Sequence, residues 1–273
     1  MTEWVDLHLH SNHSDGTELP EELVARVAAA GATAMALTDH DTVAGVAAAR
    51  EAAMAAGIGF LDGVEISAVF EGREMHVVGL NVSIQAEPLT QLLGELVDMR
   101  RNRMDAIHAK LRRIGIVVPH APDMQAPGRM HVATALRDMG KAATVQQAFD
   151  RYLNSGGPAY VPKELPDVSR VIAAIHAAAG LAFIAHPGLG HWAMKNLERL
   201  LALPFDGLEA WHPSHTPAVT NRVLAEAQQR DLLVSGGSDC HGNVKGEGCT
   251  LGRVKTPACH YHRINAARQP MRY

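Results

Sequence analysis

Short apolar runs that end on histidine, aspartate or glutamate recur along this chain, and that recurrence constrains the fold more than any other feature. Trp4–His10 carries His8 and His10, Thr33–Thr38 leads into Asp39, His40 and Asp41, and Ile58–Ile66 contains Glu65. Leu181–Ala185 precedes His186, and Leu232–Ser235 precedes Asp239 and His241. Helical stretches alternate with these runs: Pro20–Ala30, Val43–Ala56, Val168–Ala179, Met194–Leu201 and Pro217–Arg230, with a further strand at Gly207–Trp211. Such β-α alternation predicts parallel strands with helices outside them. Ala68–Phe70 and Met75–Leu80 flank Glu71-Gly72-Arg73, which predicts a local antiparallel hairpin. In a parallel barrel the C-terminal strand ends open on one face, so ligands scattered in sequence become neighbours in space.

The alternation breaks in the middle. Leu89–Ile114 reads as one long charged helix, after which Pro119, Pro122, Pro127 and Gly128 interrupt any regular element. We expect a discontinuous barrel over 1–100 and 163–273, with a small, mainly helical insert over 101–162 that contributes to the substrate site. At 273 residues the chain suits one main domain rather than a string of modules.

A net charge of -4 excludes a bulk basic field for holding duplex DNA, so any nucleotide recognition is local. With no signal-like start and no long apolar segment, the expectation is a cytoplasmic protein without a membrane span. The oligomeric state is not legible. Three cysteines, Cys240, Cys249 and Cys259, do not make a disulfide framework, and reduced thiols are expected.

His8 and His10 lie two apart, so on a strand both imidazoles leave the same face. Asp15 follows in a glycine-containing loop. Histidine and carboxylate ligands without sulfur favour zinc, manganese, iron(II) or magnesium-like ions, and nine candidates exceed the needs of one ion. Closely spaced ions can activate water and stabilise attacking and leaving oxygens, which suits phosphoester cleavage.

In order along the chain, DLHLHS (6–11), the Asp15 loop, TDHDT (38–42), GVEIS (63–67), HVVGL (76–80), AHP (185–187) and GSDCHG (237–242) resemble the polymerase-and-histidinol-phosphatase (PHP) family. The resemblance implies an α/β fold, a distorted (β/α)7 barrel, and two or three divalent ions, with Mn2+ expected and Zn2+ or Fe2+ as alternatives. It implies that His8, His10, Glu65 and Asp239 hold one ion, that Glu65, His76 and His186 hold a second, and that Asp15, His40 and His241 hold a third. Asp6, Asp39 and Asp41 are expected to orient imidazole N–H groups.

GRMHVATAL (128–136), GGPAYVPK (156–163) and EAWHPSH (209–215) resemble stand-alone family members that act on nucleotides carrying both 3′- and 5′-phosphates, some of which also trim short RNA. Lys163 stands where arginine is common. Arg129 and Lys163 are the candidates for gripping substrate phosphate, Arg129 by a bidentate fork that also neutralises oxygens at phosphorus. His191 and His215 are the candidates for proton donor, and His131 for a helix cap or a contact to the base. The expected reaction is hydrolysis of the 3′-phosphate of a nucleoside 3′,5′-bisphosphate. A 5′-to-3′ exonuclease on short 5′-phosphorylated RNA and a non-catalytic metal-dependent binding module are the alternatives.

Overall fold

The apolar runs become strands of one sheet, and the stretches between them become the helices that cover it. The computed structural model describes residues 3–119, 128–242 and 250–267. Its elements run β1 Trp4–Asp6, α1 Pro20–Ala29, β2 Ala34–Leu37, α2 Val46–Ala56, β3 Gly59–Phe70, β4 Arg73–Leu80, α3 Glu87–Arg113, α4 Arg129–Asp138 and α5 Val145–Ala148. They continue with α6 Val168–Ala177, β5 Leu181–Ile184, α7 Trp192–Lys195, α8 Leu197–Leu200, β6 Gly207–Trp211, α9 Pro217–Gln229, β7 Leu233–Gly236, β8 Thr256–Pro257 and α10 Ala258–Ala266.

The sheet order is β7-β6-β5-β4-β3-β2-β1-β8, a nearly closed barrel. β1, β2 and β3 pair in parallel, as do β5, β6 and β7. β4 runs antiparallel to both its neighbours, so the expected hairpin is present. Phe70 pairs with Arg73 across Glu71 and Gly72, both at positive φ, the geometry that a two-residue hairpin turn requires. β3 runs unbroken through Glu65 to Phe70, instead of stopping at Ile66. The two-residue strand β8 adds antiparallel to β1 and is too short to read from sequence.

Inside the barrel, Val5, Ala36, Leu61, Val78, Leu181 and Phe183 pack together. Gly207 makes room for Phe183, since a Cβ there would sit 2.3 Å from the ring. Between sheet and helices lies a larger cluster that takes Leu89, Leu92, Leu93 and Leu96 from the first half of α3. The second half of α3 contributes Met104, Ile107 and Leu111 to a separate cluster, built with residues from Ile116 to Ala159. One helix thus runs from the barrel into the segment above its mouth. Cys240 is disulfide-bonded, which corrects the expectation of reduced thiols, whereas Cys259 is a free, exposed thiol. Cys249, Pro122 and Pro127 lie outside the described residues. No helix among the described residues is long and apolar enough to cross a membrane.

Closure depends on two glycines. Leu7 N–H donates to the Gly236 carbonyl and Asp239 N–H to that of His8, which stitches the end of β7 to the segment after β1. A Cβ on Gly237 would lie 2.4 Å from the His8 backbone nitrogen and 2.7 Å from Asp6 Oδ1. Gly237→Ala is therefore expected to cost about 1–3 kcal/mol in urea denaturation, the range for forced overpacking. Gly94→Ala, on an exposed position of α3 with open space around it, is expected to be neutral or stabilising.

Candidate metal centre

Glu65, on β3 and fully buried, is the hub of the site. Its Oε2 lies 3.2 Å from His8 Nε2, 3.3 Å from His10 Nε2 and 3.0 Å from His40 Nδ1. Its Oε1 lies 2.9 Å from His76 Nδ1 and 3.0 Å from His186 Nε2. The backbone explains the convergence. His8 and His10 leave one face of an extended segment, His40 bridges Glu65 just beyond β2, and His76 on β4 pairs with Ser67 two residues along β3. His186 and Asp239 follow β5 and β7 with φ of 25° and 48°, so each chain turns sharply as it leaves its strand.

Asp239 Oδ1 lies 3.0 Å from His10 Nε2, and Asp15 Oδ1 lies 3.1 Å from His241 Nε2 and 3.8 Å from His40 Nε2. Three sets have donor atoms close enough to share an ion: His8, His10, Glu65 and Asp239; His40, Glu65 and His76; and His10, Asp15, His40 and His241. The first matches the implied grouping. In the second, His40 stands where His186 was expected, and the third gains His10.

His8 Nε2, His10 Nε2, Asp15 Oδ1, His40 Nδ1, Glu65 Oε2 and His76 Nδ1 are all buried without a hydrogen-bond partner. A buried polar atom left so is costly, and six converging lone-pair donors are what divalent cations satisfy. The residues present fit the metal ions.

Burial alone would raise the Glu65 carboxyl, but the imidazoles of His40, His76 and His8 outweigh it and hold Glu65 well below the usual carboxylate range. Burial would lower His10 and His76, but the carboxylates beside them push His10 up to about 10 and His76 up to about 9. His40 goes the other way, down to about 3, because burial dominates there. A raised histidine stabilises the metal-free fold fully below its ordinary value of 6.5, and that contribution is lost as pH rises through 9 to 10. Metal must displace the same protons.

Outside the ligands, carboxylates fix the rings, though not the ones expected. Glu209 on β6, also buried, accepts from His8 Nδ1 at 2.9 Å and from the His186 backbone N–H at 2.6 Å. Glu74 faces the second nitrogen of His76 at 3.6 Å. By contrast, Asp6 accepts from the Ser238 and His8 amides, Asp39 from Ser11 and Ser14, and Asp41 from the Ser67 amide and Arg100. These short side chains sit at strand ends, where amides and hydroxyls of the adjoining loops come within reach before any imidazole does. His212 Nε2 lies 3.2 Å from Asp239 Oδ2 and is a further residue that the sequence did not single out.

A cavity opens on the centre. Asp15, His40 and His76 line it from the barrel; Arg100, Arg103 and Met104 of α3, Arg129 and Met130 of α4, and Phe149 and Lys163 complete it. Arg129 lies over the Phe149 ring at 5.5 Å, and Lys163 pairs with Glu74. His131 Nδ1 accepts from Gly128 N–H at 3.0 Å, so it caps the start of α4. His215 has both ring nitrogens engaged, by Gly188 N–H and the Ala210 carbonyl. His191 is exposed with φ 60° and does not line the cavity.

Two outcomes follow. The metal-free protein loses thermal stability as pH rises from about 7 to about 10, while Mn2+ offsets the loss and its uptake releases protons, which calorimetry in buffers of different ionisation enthalpy detects. Glu209→Ala weakens metal binding about 10- to 100-fold, read from ion content after equilibrium dialysis.

Residues 6–154 match the family model described as the PHP domain. A 5′-3′ exoribonuclease of Haemophilus influenzae is 41% identical over 251 residues, covering 88% of this chain and 91% of the relative. A 3′,5′-nucleoside bisphosphate phosphatase of Chromobacterium violaceum is 33% identical over 254 residues, covering 89% of this chain and 88% of the relative. A solved structure from Bifidobacterium adolescentis, described as a metal-dependent phosphoesterase, superimposes with a TM-score of 0.87 at 30% identity and covers 98% of both chains. With the histidine and carboxylate centre at the mouth of its barrel, this chain belongs to the PHP family of metal-dependent phosphoesterases.

Proposed function

We propose that the protein removes the 3′-phosphate of nucleoside 3′,5′-bisphosphates, giving the nucleoside 5′-monophosphate and phosphate. The observation that carries this reading is the wall of four cations, Arg100, Arg103, Arg129 and Lys163, in the same cavity as the candidate metal ligands. A simple phosphomonoester is served by the metal centre alone and gives that wall no phosphate to bind. A nucleotide with a second phosphate uses both.

The electrostatics favour an anionic guest. Arg103 is pushed down to about 10, first by burial and then by the neighbouring Arg129, so like charges are held together in the cavity. An incoming phosphate relieves that repulsion. Arg100 Nε is fixed on Asp41 at 2.6 Å and Arg103 on the Val161 carbonyl at 2.9 Å, which sets the direction of their remaining N–H groups. Phe149, Met104 and Met130 offer apolar surface for ribose and base.

Two or three divalent ions, Mn2+ first with Zn2+ or Fe2+ as alternatives, would be held by the nine ligands; when bound they polarise the phosphoryl oxygens and acidify water. Glu65 holds five imidazoles in fixed register, so the phosphoryl group meets a preorganised surface. Arg129 and Lys163 grip the 5′-phosphate, and Lys163 exchanges Glu74 for it. The relatives named above support a nucleotide substrate.

The test compares a nucleoside 3′,5′-bisphosphate with the matching nucleoside 3′-monophosphate. Wild-type protein is expected to prefer the bisphosphate, and Arg129→Ala to lower kcat/KM for it by about 10- to 100-fold, as for a lost charge-assisted hydrogen bond, with a smaller effect on the monophosphate. Equal turnover of the two by wild-type protein contradicts the proposal.

A further inference from the structure

A second cavity, of about 750 Å³, shares a wall with the one that opens on the metal centre. Arg129, Met130 and Phe149 line both. Arg129, resting over the Phe149 ring at 5.5 Å, therefore stands where the two spaces meet. The size falls within the ~300–1,000 Å³ usual for small-molecule sites. A nucleotide whose 5′-phosphate is held by Arg129 has its base one ribose away, against the Phe149 and Met130 surface that borders the second space.

Gln146 and Asn154 also line the second cavity. Each stands four residues from Asp150, on the face shared by α5 and the turn that follows it. That turn, Phe149–Leu153, is π-helical, with Asn154 N–H donating to the Phe149 carbonyl at 2.8 Å. Single π-turns are rare and frequently mark functional sites. Asp150 Oδ1 accepts from Gln146 Nε2 at 3.0 Å and from Asn154 Nδ2 at 3.1 Å. A carboxylate only accepts, so the nitrogen end of each amide is fixed on it and the oxygen end is turned away. Neither amide oxygen accepts a hydrogen bond from the described residues. The cavity thus combines two carbonyl acceptors of set orientation with an apolar surface.

We infer that the second cavity receives the edge of the nucleobase, and that Gln146 and Asn154, oriented by Asp150, select a base with an exocyclic amino group over one with a carbonyl at the same place. Two acceptors match the two hydrogens of the amino group of adenine or cytosine. The carbonyl that hypoxanthine or uracil puts there meets like partial charge and leaves both acceptors unpaired. This selection rests on the reading of the first cavity as the seat of a nucleoside 5′-phosphate. Asp150 touches no substrate. It is a positioning residue that decides which end of each amide the base meets.

The experiment titrates metal-loaded full-length protein calorimetrically with adenosine and inosine 5′-monophosphates, which differ at position 6 of the base, an amino group against a carbonyl. It is paired with kcat/KM for the matching 3′,5′-bisphosphates. Adenosine is expected to be preferred by about 10-fold or more in both measurements, the scale of a base-edge contact. The preference is expected to shrink to within about threefold in Gln146→Ala and Asn154→Ala, and also in Asp150→Ala, where both amides are free to turn a nitrogen toward the inosine carbonyl. Gln146 and Asp150 are exposed, so their variants carry the test if Asn154→Ala does not fold. A wild-type protein that treats the two bases equally, or a preference that survives Gln146→Ala and Asp150→Ala, overturns the inference and leaves the bisphosphatase reading intact. Asp150-dependent preference in binding, with neither bisphosphate cleaved, supports the base site and removes the bisphosphatase reading instead. No binding of either monophosphate and no cleavage of either bisphosphate overturns both.

Discussion

One carboxylate organises this protein. Glu65 is sealed in the barrel with both oxygens facing imidazoles, three on Oε2 and two on Oε1. A buried carboxylate among buried histidines is tolerable only if the charges balance, and here they balance in two ways: by protons on the histidines without metal, or by cations between the rings with it. The five imidazoles come from four different strand ends, so the constraint at Glu65 is also a constraint on strand register. A slip of one residue at β3 would turn Glu65 to the opposite face and put Ile66 in its place.

The rest of the architecture serves that register. Gly236 and Gly237 let the end of β7 close against the segment carrying His8, which brings Asp239 and His241 to the centre. Glu209 holds the His8 ring and the backbone of His186 at once, so one side chain aligns ligands from two strand ends. Above the mouth, α3 is tied to the loop after β2 by the ion pair of Arg100 with buried Asp41. A phosphate held between Arg100, Arg129 and Lys163, as proposed, would thereby be coupled to the loop that carries His40.

Much of this was legible in the sequence, because the barrel's alternation puts most candidate ligands at or just beyond the end of an apolar run, and period-two spacing aims His8 and His10 together. What was missed is non-local. Glu209 obeys the same strand-end rule, yet the Ala-Trp that follows reads as continuing strand, and only its contact with His8 reveals its role. Arg100 reads as one charge among several on a solvated helix until Asp41, 59 residues away, is found beneath it. His191 and His215 stood in loops after strands, as a proton donor should, but ring direction is set by tertiary contacts: backbone groups claim both nitrogens of His215. The boundary expected at residue 100 falls inside α3, since a continuous helix crosses from one apolar cluster to the next. The strand β8 is a product of barrel closure and has no sequence signal of its own.

The central proposal is that Glu65 would be shared between metal ions. Anomalous diffraction from a crystal of the full chain equilibrated with Mn2+ tests it most directly. The account predicts at least two peaks, one within about 2.5 Å of Glu65 Oε1 and another within the same distance of Oε2, each also ligated by histidine. A single ion held elsewhere, with Glu65 bound only to imidazole N–H groups, would contradict it.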